Sequence, residues 1–359
     1  MPDSLRALLP SLYNAFLPDF FDTPAPVEAK ATCDNCAMCP PKDAPSPASS
    51  PDVTFFRPDA KCCTYHPRLP NYLVGAILAD ERPDMQEGQR RIRAKIAART
   101  GVSPRWIAPP PKFEVVLRAA YRRSFGRSLV LLCPYFERSS GLCTIWRQRE
   151  IVCSTFFCKY VDGIDGEHFW KSVRGLVGYI ERELSQEAAR QVIPGYADPP
   201  DLGLTVEDLE DRPPSDVDYT ASWGEWAGRE EELYLGTYAW VQSLDRARFE
   251  AIVRGPSYDE RFRAAKEAHR ALIDPTLPPR LTPNPMMDVR PAQGGVLVTT
   301  YNRYEPLLLN DALYEVVREF SPGETVAEVR ARLARDAGID VPEELLVSMT
   351  RFRILVAPS

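Results

Sequence analysis

The sequence predicts an α+β fold, mainly α: an irregular cysteine-rich metal-binding domain with helices, a helical stretch, and a small C-terminal winged-helix-like domain. Three observations carry that prediction. Apolar residues recur at three- and four-residue intervals through much of the chain, as in helices that bury one face. The nine cysteines fall in two groups instead of being dispersed. From about residue 286 the pattern changes to a strand-like run followed by three short helical segments.

With 359 residues there is material for two or three folded units, and 44% hydrophobic with 26% charged residues is a globular balance. Proline is in excess, 35 against 19 glycines, which announces long irregular connectors. From residue 5 to 21, Leu8, Leu9, Leu12, Phe16 and Phe20 predict one packed N-terminal helix, stopped at Thr23-Pro24-Ala25-Pro26. Segment 40–61 is too proline-rich and polar at its start for a core and predicts a surface loop tethering two halves of one site. Helices are expected over 71–78, 86–99 and 113–124, parted by Pro83 and Pro109-Pro110-Pro111. Gly163 and Gly166 precede a long helix over 167–192, and Gly255-Pro256 closes another over 230–253. Between them lies a poorly patterned acidic loop, 195–222; a further helix covers 257–273, before a proline linker. Domain boundaries are set accordingly at 1–162, 163–283 and 284–359.

Cysteine is where chemistry is expected. The first cluster is Cys33-Asp34-Asn35-Cys36-Ala37-Met38-Cys39-Pro40, with Cys62-Cys63 beyond the proline loop. Three thiolates on one tight turn can converge on a single inorganic centre, and the fourth ligand falls to Cys62 or Cys63. Structural zinc more often takes two thiolates from each of two separate knuckles, so the triple favours an iron–sulfur cluster, with Zn²⁺ as the alternative. The second cluster, Cys133, Cys143, Cys153 and Cys158, is spaced C-x9-C-x9-C-x4-C among aromatic residues and reads as a loop wrapped round a metal. Buried cysteines also serve as small hydrophobes, but that use suits one or two positions better than two groups. Eight ligands suffice for two tetrathiolate centres, one or two 4Fe–4S clusters, with one of Cys62 and Cys63 left over; clusters interleaved around one or two centres are the alternative. His66 is near enough in sequence to be an alternate ligand, the blander reading being a surface-loop histidine, and His269 reads as a solvated helix residue. The arginine groups Arg90-Arg91-Ile92-Arg93-Ala94-Lys95 and Arg122-Arg123, Arg127 read as solvated helix faces, the alternative being that they bind an anionic substrate or compensate a cluster's negative charge.

Together the triple, the Cys-Cys pair, Cys133, Cys143-Thr144-Ile145-Trp146-Arg147-Gln148-Arg149, Cys153 and Phe157-Cys158 resemble the YkgJ-like family of zinc- or iron-chelating cysteine-cluster domains, over about 33–160. In this chain the pair is separated from the triple by 40–61. Trp146 stands where the family usually has Tyr, and Arg149-Glu150 where it has Arg-Pro. Flagellin lysine methylases carry a similar cysteine cluster, but no glycine-rich SAM-binding signature accompanies it here, so methyl transfer is not implied.

In the C-terminal segment, Gly295 to Tyr301 is strand-like and Asn310 is placed to cap a helix over 311–320. Ser321-Pro322-Gly323-Glu324 turns into a second helix over 325–337, with Val326, Val329 and Leu333 on one face, and a third runs over 342–352. This order resembles PqqD-like domains, which bind leader peptides as a strand added along the sheet edge, and it implies a peptide or protein substrate as partner. A net charge of −6 disfavours nucleic acid or an anionic membrane as the main partner. With no apolar run near the ~20 residues a membrane span needs, and no secretion signal, the expectation is a soluble cytoplasmic protein with reduced thiols. No Ser-His-Asp, phosphate-loop or dinucleotide motif is present. Whether the chain is an enzyme is left open: it acts in modification or maturation of a peptide or protein substrate, or it is an interaction protein in which zinc only folds the irregular segment.

Overall fold

The computed structural model describes residues 4–33, 36–40, 55–198 and 206–358. The fold is α+β and mainly α, and its sheets are small and antiparallel. Asp34, Asn35 and residues 41–54, most of the expected tether, lie outside the described residues. The chain forms two compact units, each drawn from separated segments. The first comprises Met1–Ala25, Cys33–Phe156 and Arg174–Arg261, the second Pro26–Thr32, Phe157–Val173 and Phe262–Ser359. No helix among the described residues is long and apolar enough to cross a membrane.

In the first unit the N-terminal stretch is not the single helix expected. It folds as three 3₁₀ turns, Arg6–Leu8, Ser11–Ala15 and Asp19–Asp22. Pro10 and Pro18 explain this, since each lacks an amide hydrogen and its ring crowds the preceding turn, so a continuous i→i−4 ladder cannot pass. The apolar side chains still reach the interior: Leu5, Tyr13, Phe16 and Phe21 are buried.

Helices Asn71–Leu78, Gln86–Ala98 and Pro111–Ser124 lie where the apolar period places them. Every residue of Asn71–Leu78 is buried. A Cβ at Gly75 would run into the Tyr234 carbonyl oxygen, so the glycine lets this backbone meet helix Glu230–Gln242 directly. Ile77, Ile92, Tyr135, Ile145, Trp223 and Tyr234 belong to one apolar cluster, so the cysteine-bearing loops share the helices' core.

Three boundaries differ from expectation. The helix predicted over 230–253 is two, Glu230–Gln242 and Arg246–Val253, because the Asp245 carboxylate accepts the Arg248 amide at 2.8 Å and starts a new helix. The long helix is Gly163–Val192, taking in the two glycines that were expected to precede it. The acidic stretch contains helices Val206–Leu209 and Asp216–Trp223, the latter capped by Ser215, while residues 199–205 lie outside the described residues.

The second unit has a three-stranded antiparallel sheet, Asp288–Ala292, Gly295–Thr299 and Leu307–Leu309 in that order, with Arg290 opposite Leu297 and Leu297 opposite Leu308. A separate pair joins Thr282–Pro283 to Leu355–Val356. Three helices follow the sheet, Asp311–Arg318, Val326–Ala337 and Glu343–Arg351, and they enclose Val298, Leu309, Val317, Val329, Leu333 and Leu346. Asn310 caps the first by accepting the Leu313 amide at 2.8 Å, as its position predicts. His269 is half-buried beside the Phe169 ring, at 5.6 Å, and not solvated as expected.

Candidate metal centre

The cysteines of the first unit sit on tight turns whose amides face sulfur. The Cys39 amide donates to the Cys36 carbonyl at 2.9 Å, closing a turn in which the amides of Met38 and Cys39 also reach the Cys36 sulfur. Cys133-Pro134-Tyr135-Phe136 repeats the shape, with the Tyr135 and Phe136 amides on the Cys133 sulfur. The Ile145 amide does the same for Cys143. Hydrogen bonds donated to sulfur favour its anionic form, which is the form that ligates metal.

Polar struts between distant segments hold these turns together. Lys61 Nζ donates to the Cys33 carbonyl at 2.6 Å and to the Gly141 carbonyl at 2.8 Å, tying the first cysteine run to the second. Its backbone is left-handed, with φ of 51°, a conformation a non-glycine residue keeps only where its surroundings enforce it. The Cys133 amide donates to the Cys63 carbonyl at 2.7 Å. Arg91 Nη1 donates to the carbonyls of Pro134 and Phe136, both at 2.8 Å, and so is a strut of the cysteine loop rather than part of a solvated face. At Gly88 a Cβ would press on the Thr144 carbonyl, so the loop lies directly on helix Gln86–Ala98.

The thiols share one electrostatic neighbourhood. Burial pushes Cys33 up to about 11, with the Cys62 sulfur adding to the rise and Arg149 and Lys61 opposing it. The Cys39 thiol donates to Cys36, which is held low while Cys39 is raised, so the two share a proton. Cys62 is raised by its hydrogen bond to Cys63 and then by burial. Burial likewise raises Cys133, Cys143 and Cys153; Cys143 also feels Cys33 and Cys62, and Cys153 feels Cys133 and Cys143. Arg149 stands among them, its guanidinium 3.3 Å from the Trp146 ring centre, and it donates to the Cys153 carbonyl at 3.3 Å. Burial lowers its pKa, and Cys143, Cys153, Cys33 and Cys62 oppose that.

Eight of the nine cysteines therefore belong to this region: Cys33, Cys36, Cys39, Cys62, Cys63, Cys133, Cys143 and Cys153. Cys158 belongs to the second unit, where it is buried and its carbonyl accepts from Asn302 Nδ2 at 2.8 Å. Two S–H···S pairs form, Cys39 with Cys36 and Cys62 with Cys63, and among the described residues no three Cys, His, Asp or Glu side chains are disposed to hold one ion. The donor set fits a thiolate-bound metal on other grounds. Metal ligation displaces thiol protons, the amides on Cys36, Cys133 and Cys143 favour the resulting anions, and Lys61 and Arg149 supply compensating charge. The Tyr135 hydroxyl, fully buried and without a hydrogen-bond partner, feels both Cys133 and Cys143.

Besides Arg91, sequence reasoning missed the supporting roles of Glu150 and Lys61. Glu150 accepts the amides of Val152 at 2.7 Å and Cys153 at 3.1 Å, capping helix Ile151–Thr155 and fixing the turn that carries Cys153. A carboxylate three residues before a cysteine on a short helix was the available signal. Lys61 beside the Cys-Cys pair offered none. His66, read as more in keeping with a surface loop, is buried at 4% exposure. Set against known protein families, curated proteins and solved structures, the chain matches none.

Proposed function

We propose that the chain is a cytoplasmic metal-binding protein acting in the modification or maturation of a peptide or protein substrate. The observation that carries this reading is the shared neighbourhood of Cys33, Cys62, Cys143 and Cys153, from segments far apart in sequence, around Arg149. On this reading Cys62 joins Cys33, Cys36 and Cys39, since its sulfur influences Cys33 and Cys36 most directly among the described contacts of that run. Cys63, bonded through its carbonyl to the Cys133 amide, joins Cys133, Cys143 and Cys153. Two tetrathiolate centres then need both members of the Cys-Cys pair and leave Cys158 outside. A 4Fe–4S cluster bound there would supply electron transfer or a substrate-binding iron, whereas zinc would supply folding free energy.

The second unit's module is on this proposal winged-helix-like and takes the substrate peptide as an added strand, in the manner of PqqD-like domains. Leu307–Leu309 forms an edge of the three-stranded sheet, and Leu308 is 57% exposed on it, which supports an edge open to pairing.

Anaerobic purification tests the metal. A brown protein absorbing near ~400 nm, with about four or eight irons and matching acid-labile sulfide, supports the cluster reading; stoichiometric zinc in a colourless protein supports the interaction-protein alternative. Cys62→Ser and Cys63→Ser should each remove about half the metal of a two-centre protein while Cys158→Ser removes none. Metal content unchanged in both single variants would sink the assignment.

A further inference from the structure

The first unit also holds a cleft of about 480 Å³ that the thiols do not line. Trp106, Phe113, Leu117 and Ile151 give it an apolar side, and Glu114 with four arginines also lines it. Its floor is polar and buried: Glu150 and His66 are each 4% exposed and Glu181 6%.

Neither floor carboxyl forms a salt bridge among the described residues, though the Arg174 charge acts on Glu150; burial raises both, and a bound cation would favour their ionised forms. Among the described residues Glu181 accepts the Ile151 amide at 3.1 Å and the Tyr13 hydroxyl at 3.2 Å, and Glu150 the two amides already described together with the Cys153 thiol. The four arginines lining the cleft are engaged elsewhere. Arg68 and Arg118 pair with Glu114, at 3.0 and 3.1 Å, Arg182 pairs with Glu183 at 3.0 Å, and Arg174 donates to the Thr155 hydroxyl and carbonyl at 3.1 and 2.8 Å.

His66 is the independent observation. Its Nε2 is buried without a hydrogen-bond partner among the described residues, and the ring is held edge-on by Phe113 and Tyr135, at 5.6 and 5.9 Å. Burial keeps the imidazole neutral, so it has an acceptor nitrogen to offer. A buried polar atom left unpaired in a native fold calls for an explanation, and a ligand is one.

We infer that this cleft binds a small organic amine as its ammonium ion, the N–H donors facing Glu150, Glu181 and His66 and the hydrocarbon stem lying against Trp106 and Leu117. The volume lies in the range of small-molecule sites and exceeds what a bare ion fills. This inference goes beyond the metal reading and does not need it, because none of the nine cysteines lines the cleft.

The test is calorimetric titration of the full chain, as purified, with n-hexylammonium, and with 1-hexanol as its uncharged analogue. The amine should bind on the order of tenfold or more tightly than the alcohol. Glu181→Gln, which preserves shape and hydrogen bonding, should weaken the amine on the order of tenfold, and His66→Phe by several-fold. Circular dichroism establishes that each variant folds; should one fail, the other carries the comparison. Equal binding of alcohol and amine, or indifference of the amine to both variants, would overturn the assignment.

Discussion

The cysteine region of the first unit and the sheet-and-helix module of the second are stabilised by opposite means. In the module the information is local. Asn310 caps the helix it precedes, Thr325 and Glu328 form a reciprocal capping box, and each helix buries the face its own apolar period marks out. In the cysteine region regular structure is scarce, and long-range polar contacts set the geometry: Lys61 reaches back 28 residues to Cys33 and forward 80 to Gly141, and Arg91 reaches more than 40 residues to Pro134 and Phe136. The difference teaches that a segment without secondary structure can still be specified, provided charged side chains satisfy carbonyls that no helix or sheet pairs.

The sharpest way to break the comparison is pH. The first unit buries His66, and burial depresses its pKa from 6.5 to about 3. Below 6.5 the unfolded chain takes up a proton that the folded state refuses until about pH 3. The associated stability is therefore complete above pH 6.5 and is lost as the pH falls through that window. Comparing chemical denaturation of the native chain and His66→Phe at pH 7.5 and 4.5 should show a differential loss on the order of 2–3 kcal/mol in the native chain. Glu181 has the opposite sign. Burial raises it well above 4.5, so its contribution is lost as the pH rises, and the double comparison isolates the histidine. A difference independent of pH would mean that His66 is charged or hydrated in the folded chain.

The next effect is Arg91. Replacing it with Met keeps much of the stem but strips donors from the carbonyls of Pro134 and Phe136, in the turn that carries Cys133. A loss of about 2 kcal/mol is expected, read by urea denaturation, together with faster reaction of the thiols with a thiol reagent as the turn opens. Arg90, on the same helix and paired with Glu87 at the surface, serves as the control and should leave stability and thiol reactivity almost unchanged.

How much was legible follows the same division. Helices Asn71–Leu78 and Pro111–Ser124 and the Asn310 cap could be read from neighbouring residues, because periodicity and capping are short-range effects. The N-terminal turns were misread because the apolar spacing of Leu8, Leu12 and Phe16 was weighed above Pro10 and Pro18, which decide whether a ladder can form. The cysteine types and spacings were legible as a donor set, whereas the roles of Lys61, Arg91 and Glu150 were not. A surface lysine and a strut lysine have the same sequence signature, and only the fold reveals which carbonyls lie within reach.

The smallest effect tests the local half of the comparison. Thr325 accepts the Glu328 amide at 3.2 Å while Glu328 accepts the Thr325 amide at 2.7 Å, so the box pairs two amides that the helix cannot. Thr325→Ala removes the hydroxyl's bonds to the Glu328 amide and carboxylate at an exposed helix start and leaves the Thr325 amide bond, and the helix keeps the apolar face formed by Val329 and Leu333. The expected cost is about 1 kcal/mol, and Thr325→Ser should restore most of it, since serine carries the same hydroxyl. Because the cap acts only within its own turn, neither the reactivity of the thiols nor the metal content should move. A change in either would show that the module's stability is not local after all, and that the contrast drawn between the two regions is one of degree.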